Sequence, residues 1–269
     1  MARTIRVGAL ISGGGTNLQA ILDAAAAGKI DAEVVFTGSD NPWAKGLVRA
    51  EKAGVPVFVA DYAETVRQEK ARPGGPRLPE GLDLGSLLAR QGVMDAAVDP
   101  DRAQRFFALR AAWEARLLEE MNRFDWDLLV LAGFMRLLTP YFLDRASPDP
   151  EQPRIMNIHP ALLPAFPGGD GYGDTFRHGC KVGGCTVHFV DCGEDSGPII
   201  GQKAYAVDPG DDLAAIRKKG LALEWQLFPE CIQLFAENRL KITRRPCPAP
   251  GEPDRMRKVV EVLEKPMGG

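Results

Sequence analysis

Three side chains in this sequence carry the chemistry for transfer through a tetrahedral carbon: the amide of Asn157, the imidazole of His159 and the carboxylate of Asp195. An amide N–H and an imidazolium N–H both donate to a developing oxyanion, and a neighbouring carboxylate fixes the imidazole tautomer and favours its charged form. No Ser or Cys near them sits in a recognisable nucleophile elbow, so direct attack by a bound amine or water on an activated carbonyl fits better than an acyl-enzyme. A lone Asn-x-His also suits a histidine that does no more than cap a turn.

Such a set needs a rigid platform. Arg154-Ile155-Met156 reads as the end of a short strand, and Pro160 and Pro164 discourage a following helix, so Asn157 and His159 are expected at a strand's carboxyl end. Open α/β sheets keep their ligands there. Ile5 to Ile11 is an apolar run expected as a buried parallel strand, and it ends in Ser12-Gly13-Gly14-Gly15-Thr16-Asn17. A helix is expected from about Asn17, with Leu18, Ile21 and Leu22 as its apolar stripe and Gly28 as its stop. A glycine-rich turn into a helix presents free backbone N–H groups to a phosphate. Leu18 stands where a dinucleotide fingerprint needs a third glycine, and Gly-Lys-Ser/Thr is missing for a Walker loop, so a single phosphate suits better. A tight turn with no ligand fits the loop equally well.

The βα rhythm continues with a strand at Ala32–Thr37, a helix at about Trp43–Ala53 capped near Asp40-Asn41-Pro42, and a strand at Val57–Ala60. Residues 67–101 lose this pattern and are expected as a surface insertion. A helix at about Ala103–Arg123 places Phe106, Leu109, Trp113 and Leu117 at core spacing, and Asp127–Gly133 is another buried strand. Ala165–Gly184 is expected as a long loop. Strands at Cys185–Val190 and Ile199–Val207 flank the Asp195 loop. A helix at Leu213–Glu237 containing Pro229, a short strand at Leu240–Ile242 and a tail from 244 to 269 complete the chain.

The chain has 269 residues, 45% hydrophobic and 26% charged, enough for one large α/β domain at 1–243 plus the tail. A formal charge of -3 with no basic block argues against a nucleic-acid partner. The apolar amino-terminal run is cut short at Gly13, and no stretch reaches the ~20 apolar residues needed to cross a bilayer, so a cytoplasmic protein with no membrane partner is expected. The five cysteines match no paired zinc spacing and are expected as reduced packing residues, with no metal site. Monomer and homodimer both suit.

Four stretches in order, Ile11 to Gln19, Leu131 to Arg136, Asn157 to Pro164 and Asp195 to Ile200, resemble the signatures of the glycinamide ribonucleotide (phosphoribosylglycinamide) formyltransferases, folate-dependent formyltransferases with a doubly wound, mostly parallel α/β sheet of Rossmann-like type. The resemblance covers about residues 4–65 and 104–242. It implies formyl transfer from 10-formyltetrahydrofolate, as co-substrate, to the glycine amine of 5'-phosphoribosylglycinamide in purine biosynthesis. It also implies that Asn157 and His159 stabilise the oxyanion, while Asp195 polarises His159 and orders a proton-relaying water. Gly15, Thr16 and Asn17 then match the phosphate-binding backbone and Glu224 the residue holding the ribose hydroxyls. Arg110, Met135, Arg136, Leu137 and Leu138, with Asn157, match folate contacts. His188 is matched too, and suits either the site or a hydrogen-bonded core position, whereas His178 reads as surface.

The pattern departs after Phe166-Pro167-Gly168, where the family commonly continues with leucine and histidine and this chain reads Gly169-Asp170-Gly171-Tyr172-Gly173. The loop beside the site is therefore chemically altered, a departure that bears on nucleotide specificity and rate while transformylase activity is still expected. Alternatives are a formyltransferase-fold enzyme acting on another amine, a formyltetrahydrofolate hydrolase, for which an amino-terminal regulatory domain is expected and not found, and a non-catalytic folate- or nucleotide-binding protein, for which loss of Asn157, His159 or Asp195 is expected. A methionyl-tRNA formyltransferase needs a longer basic carboxyl domain than 244–269 supplies.

Overall fold

The structure, a computed structural model, describes residues 3–95, 97–247 and 255–265. β1 (Ile5–Ile11), β2 (Ala32–Ser39), β3 (Val57–Val59), β4 (Leu128–Leu131), β5 (Ile155–His159), β6 (Val182–Phe189) and β7 (Ile199–Ala206) form one sheet in the order β3-β2-β1-β4-β5-β6-β7. The first five pair in parallel, while β6 and β7 are antiparallel. The doubly wound, mostly parallel fold expected from the βα rhythm is the one observed, with β1, β4 and β5 at its centre.

Period-two alternation explains why these strands read as continuous apolar runs. Val7, Ala9 and Ile11 of β1 and Leu128 and Val130 of β4 enter one core with α1 (Thr16–Ala26), α2 (Lys45–Lys52) and α8 (Leu213–Ala236). Leu10, Leu129 and Leu131 enter the other with α5 (Pro100–Met121) and α6 (Pro140–Ala146). Gly8 leaves room on that second face for the fully buried ring of Phe36, whose Cζ lies 2.2 Å from where a Cβ would stand. Leu109, Trp113 and Leu117 are buried as their spacing predicts, and Trp113 Nε1 donates to the carbonyl of Ala60 at 2.6 Å.

Several local expectations are corrected. α2 starts at Lys45 after Ala44 with no side-chain cap; Asp40 is buried against Arg136, and the side-chain Oδ1 of Asn41 accepts from Trp43 N instead. The expected loop at 165–184 contains α7 (Gly171–Arg177), whose N-cap Asp170 accepts from Gly173 N. Residues 67–101 include the end of α3 (Tyr62–Ala71), with Glu69 buried, and α4 (Leu84–Arg90), with Leu87 buried. The closing strand extends as β8 (Leu240–Cys247) and pairs antiparallel with β9 (Arg255–Val262), so part of the expected tail is a hairpin. Residues 248–254 and 266–269 of that tail lie outside the described residues. Pro229 sits within α8, buried. Among the described residues, no helix is long and apolar enough to cross a membrane.

Candidate active site

Strand alternation puts Asn157 and His159 on one side of β5 while Met156 and Ile158 enter the core. β6 lies antiparallel beside it and sets His188 opposite Asn157. The loop after β6 then returns Asp195 to both. Oδ2 of Asp195 lies 3.1 Å from His159 Nδ1 and accepts from Gly168 N at 2.8 Å. Oδ1 faces Asn157 Nδ2 at 3.4 Å and His188 Nε2 at 3.5 Å. Asp195 holds φ at 49°, a left-handed conformation that costs a non-glycine residue about 1 kcal/mol.

His159 is buried, and its second nitrogen, Nε2, lies 2.7 Å from the carbonyl oxygen of Phe166. With an acceptor at each nitrogen, only the doubly protonated ring satisfies both. Burial pushes the His159 pKa down, but the hydrogen bond and charge of Asp195, the Phe166 carbonyl and the charge of Glu224 outweigh it, and the net direction is up. Burial likewise pushes the Asp195 carboxyl up, yet the two histidines and Gly168 N hold it far below the usual carboxylate range. The arrangement is therefore a buried ion pair. Both N–H groups of His159 are held at 3.1 and 2.7 Å, whereas the Asn157 amide makes only the longer contacts, 3.4 Å to Asp195 and 3.3 Å to His188, and is the group more easily turned to a new oxygen. His188 Nδ1 lies 2.9 Å from the Phe189 carbonyl, which assigns that nitrogen as the donor and turns Nε2 toward Asn157, 3.3 Å away.

Gly15 stands at the start of α1 with φ of 68°, and a Cβ there would lie 2.6 Å from Gly46 Cα, so both conformation and space demand glycine. Gly46 N donates to Gly13 O, and Arg49 Nε donates to Gly14 O at 2.9 Å. The first turn of α1 has no side-chain cap, leaving its N–H groups available. Gly15, Thr16, Asn17, Asn157, His159, His188, Asp195 and Glu224 line one cleft of about 350 Å³. Glu224 is buried there, accepting from Asn17 Nδ2 at 2.6 Å and from the hydroxyl of Tyr172. Burial raises its pKa against those two donors.

Tyr172 escaped the sequence reading. It is carried by α7, and Gly220 makes room for it, since a Cβ there would stand 2.2 Å from its ring; Gly171 lets the start of α7 pack on Pro160, where a Cβ would stand 2.7 Å from the carbonyl oxygen. The signal was present as Asp170, a helix-capping type, before a tyrosine flanked by glycines.

Met135, Arg136, Leu137 and Leu138 line the same cleft, between β4 and β5. Met135 is 63% exposed and its N–H donates to Ser12 Oγ, which ties this segment to the glycine-rich loop. Arg136 donates to Asp40 at 2.6 Å with its guanidinium 4.3 Å over the Tyr62 ring. Arg110 is not among the residues lining the cleft. It is 5% exposed, lies against the rings of Tyr62 and Phe106, and donates to the Leu137 carbonyl. Among the described residues, no group of three or more His, Cys, Asp or Glu side chains is placed to hold a metal ion.

Residues 5–232 match the formyl transferase family. The chain is 33% identical over 222 residues to the phosphoribosylglycinamide formyltransferase of Bacillus subtilis, covering 82% of this chain and 90% of that protein. It is 32% identical over 238 residues to the trifunctional purine biosynthetic protein adenosine-3 of Gallus gallus, covering 88% of this chain but 19% of that protein's length. A crystal structure of glycinamide ribonucleotide transformylase 1 from Symbiobacterium toebii superposes with a TM-score of 0.69 at 38% identity, over 98% of this chain and 96% of that one.

Proposed function

Since the chain belongs to the formyl transferase family, we propose that it transfers the formyl group of 10-formyltetrahydrofolate to the glycine amine of 5'-phosphoribosylglycinamide, a step of purine biosynthesis. One observation carries the reading: Asn157, His159 and Asp195 meet in the cleft that also holds the glycine-rich loop, so the reacting carbon and an anionic anchor are served by one cavity. The N-terminal turn of α1, from Gly15 to Asn17, takes the phosphate, and Glu224 accepts from the ribose hydroxyls with the lone pairs that Asn17 and Tyr172 leave free. The segment Met135–Leu138 receives the folate. Arg110 supports that segment from below through the Leu137 carbonyl.

Anchored at its phosphate, the acceptor presents its amine to the formyl carbon and attacks directly. The amide of Asn157 donates to the oxygen as it becomes negative, and the His159 cation stabilises the same charge at short range. Asp195 keeps that cation charged and orders a water that relays the proton of the attacking amine to N10 of the folate, whose bond to the formyl carbon breaks as the tetrahedral intermediate collapses. His188 holds the Asn157 amide in place. Both substrates are small and soluble, and the reaction belongs in the cytoplasm.

The direct test mixes purified protein with formyl donor and glycinamide ribonucleotide, following folate product against a control without nucleotide. Nucleotide-dependent product is expected. Equal product in the control points to hydrolysis of the donor, and no product in either sinks the assignment.

A further inference from the structure

The chain leaving α4 turns back onto the loop that carries Asp195. Gln91 closes this turn by accepting from Val93 N at 2.9 Å and Met94 N at 2.8 Å. Gly92, held in the turn, donates its N–H to the Cys192 carbonyl at 2.9 Å and pairs in parallel with Gly193. A Cβ at Gly92 would stand 3.3 Å from Gly193 Cα and 3.5 Å from that carbonyl oxygen. Its φ lies outside the left-handed region, so a side chain here acts through close approach and not backbone conformation, displacing Gly193 by a few tenths of an ångström. Arg90 anchors the same stretch, reaching Asp144 through both Nη atoms at 2.6 and 2.7 Å.

We propose that residues 84–95 are a prop for the catalytic loop, and that Gly92 is a positioning residue that keeps Asp195 against His159. Asp195 occupies a left-handed φ, and such strain persists only where surrounding structure over-determines it. Gly193 N and Ser196 Oγ both bind Asp191 Oδ1, which makes the loop one closed unit. Gly168 N holds that unit at the carboxylate, and Gly92 holds it at its base. Pushing Gly193 outward moves the unit as a whole and draws Oδ2 away from His159 Nδ1. A segment between the signature stretches thereby helps set the geometry of the residues within them.

Gly92→Val tests this, read first without substrate. The protein has three histidines, so their ring titrations are separable by NMR. The charged groups facing His159 are Asp195 and Glu224, and neither is altered. His159 in the variant is expected to titrate at lower pH than in the parent. Turnover is expected to fall at least about tenfold with the acceptor KM little changed, since misplacement by a fraction of an ångström acts on the reacting geometry. Gly92→Ala, whose Cβ also enters tight contact, carries the same test with a smaller shift should the valine variant not fold. An unchanged His159 titration in a folded variant overturns the proposal, as does a loss confined to melting temperature. The titration needs no acceptor, so its result stands whichever amine the enzyme uses.

Discussion

Replacing Asp195 by Asn keeps its shape and removes its charge, which isolates what that charge does for His159. Asp195→Asn and His159→Ala are each expected to lower turnover by at least ~10²-fold, since each removes stabilisation of the transition state rather than packing. The two losses should not add, because one 3.1 Å pair is broken in either case; losses that sum in the double variant would mean independent action. The pH profile has a definite sign. His159 is raised above 6.5, so its charge and the stability it brings are fully present below that value and are lost as pH rises through the higher folded value. Asp195 is lowered from 3.8, so its contribution is present above that value and disappears only as pH falls further. Turnover should decline on the alkaline side, and that limb should vanish in His159→Ala. At the acceptor end, Tyr172→Phe removes one of the two donors to Glu224. An increase of about tenfold in acceptor KM, with the formyl-donor KM unchanged, is expected by initial-rate kinetics.

At the scale of an element, α5 carries a buried charge pattern that its sequence hides. Glu114 is fully buried, accepts from Thr139 N and Oγ1 at the start of α6, and sits one turn from Arg110. Burial raises its pKa from 4.5 to about 7 against those hydrogen bonds. Between these values the folded protein holds a proton that the unfolded chain releases, so this group's effect on stability worsens as pH rises through the window. Glu114→Gln retains an acceptor for Thr139 N and a donor for Thr139 Oγ1. Urea unfolding at about pH 5 and pH 8 should show a smaller pH dependence in the variant, with the variant gaining most at pH 8. An identical slope in both proteins would mean that Glu114 stays ionised.

Across the whole molecule, the sheet divides two cores, and in the second the ring of Phe36 fills the space above Gly8 and meets Phe58 and Phe124 at 5.6 and 5.2 Å. Phe36→Ala is expected to cost about 3–5 kcal/mol, read as a fall in urea midpoint, because the flanking strands limit collapse around the cavity. Gly8→Ala should also destabilise, by the opposite defect of overpacking. The site lies at the carboxyl ends of the strands that this core aligns. The sheet places Asn157, His159 and His188, and loops bring Asp195, Gly168 and Phe166 to them.

The sequence by itself determined where the strands of the seven-stranded sheet lie, the glycine-rich turn and the Asn-x-His at a strand end, because apolar period, glycine and proline act over a few residues and need no partner. It also marked Asn157, His159, Asp195, Glu224 and the Gly15–Asn17 turn as candidates for a shared site, through their resemblance to known signatures. What tertiary structure decided depends on atoms distant in the chain. Tyr172 meets Glu224 across 52 residues, and Gly92 meets Cys192. Arg110, which matches a folate contact in the sequence, is buried against aromatic rings from two helices. The Phe166 carbonyl, which takes one N–H of His159, belongs to a loop whose course no local pattern encodes. Local periodicity fixes where a strand ends, but the side chains that charge, tilt or crowd a residue there are chosen by packing.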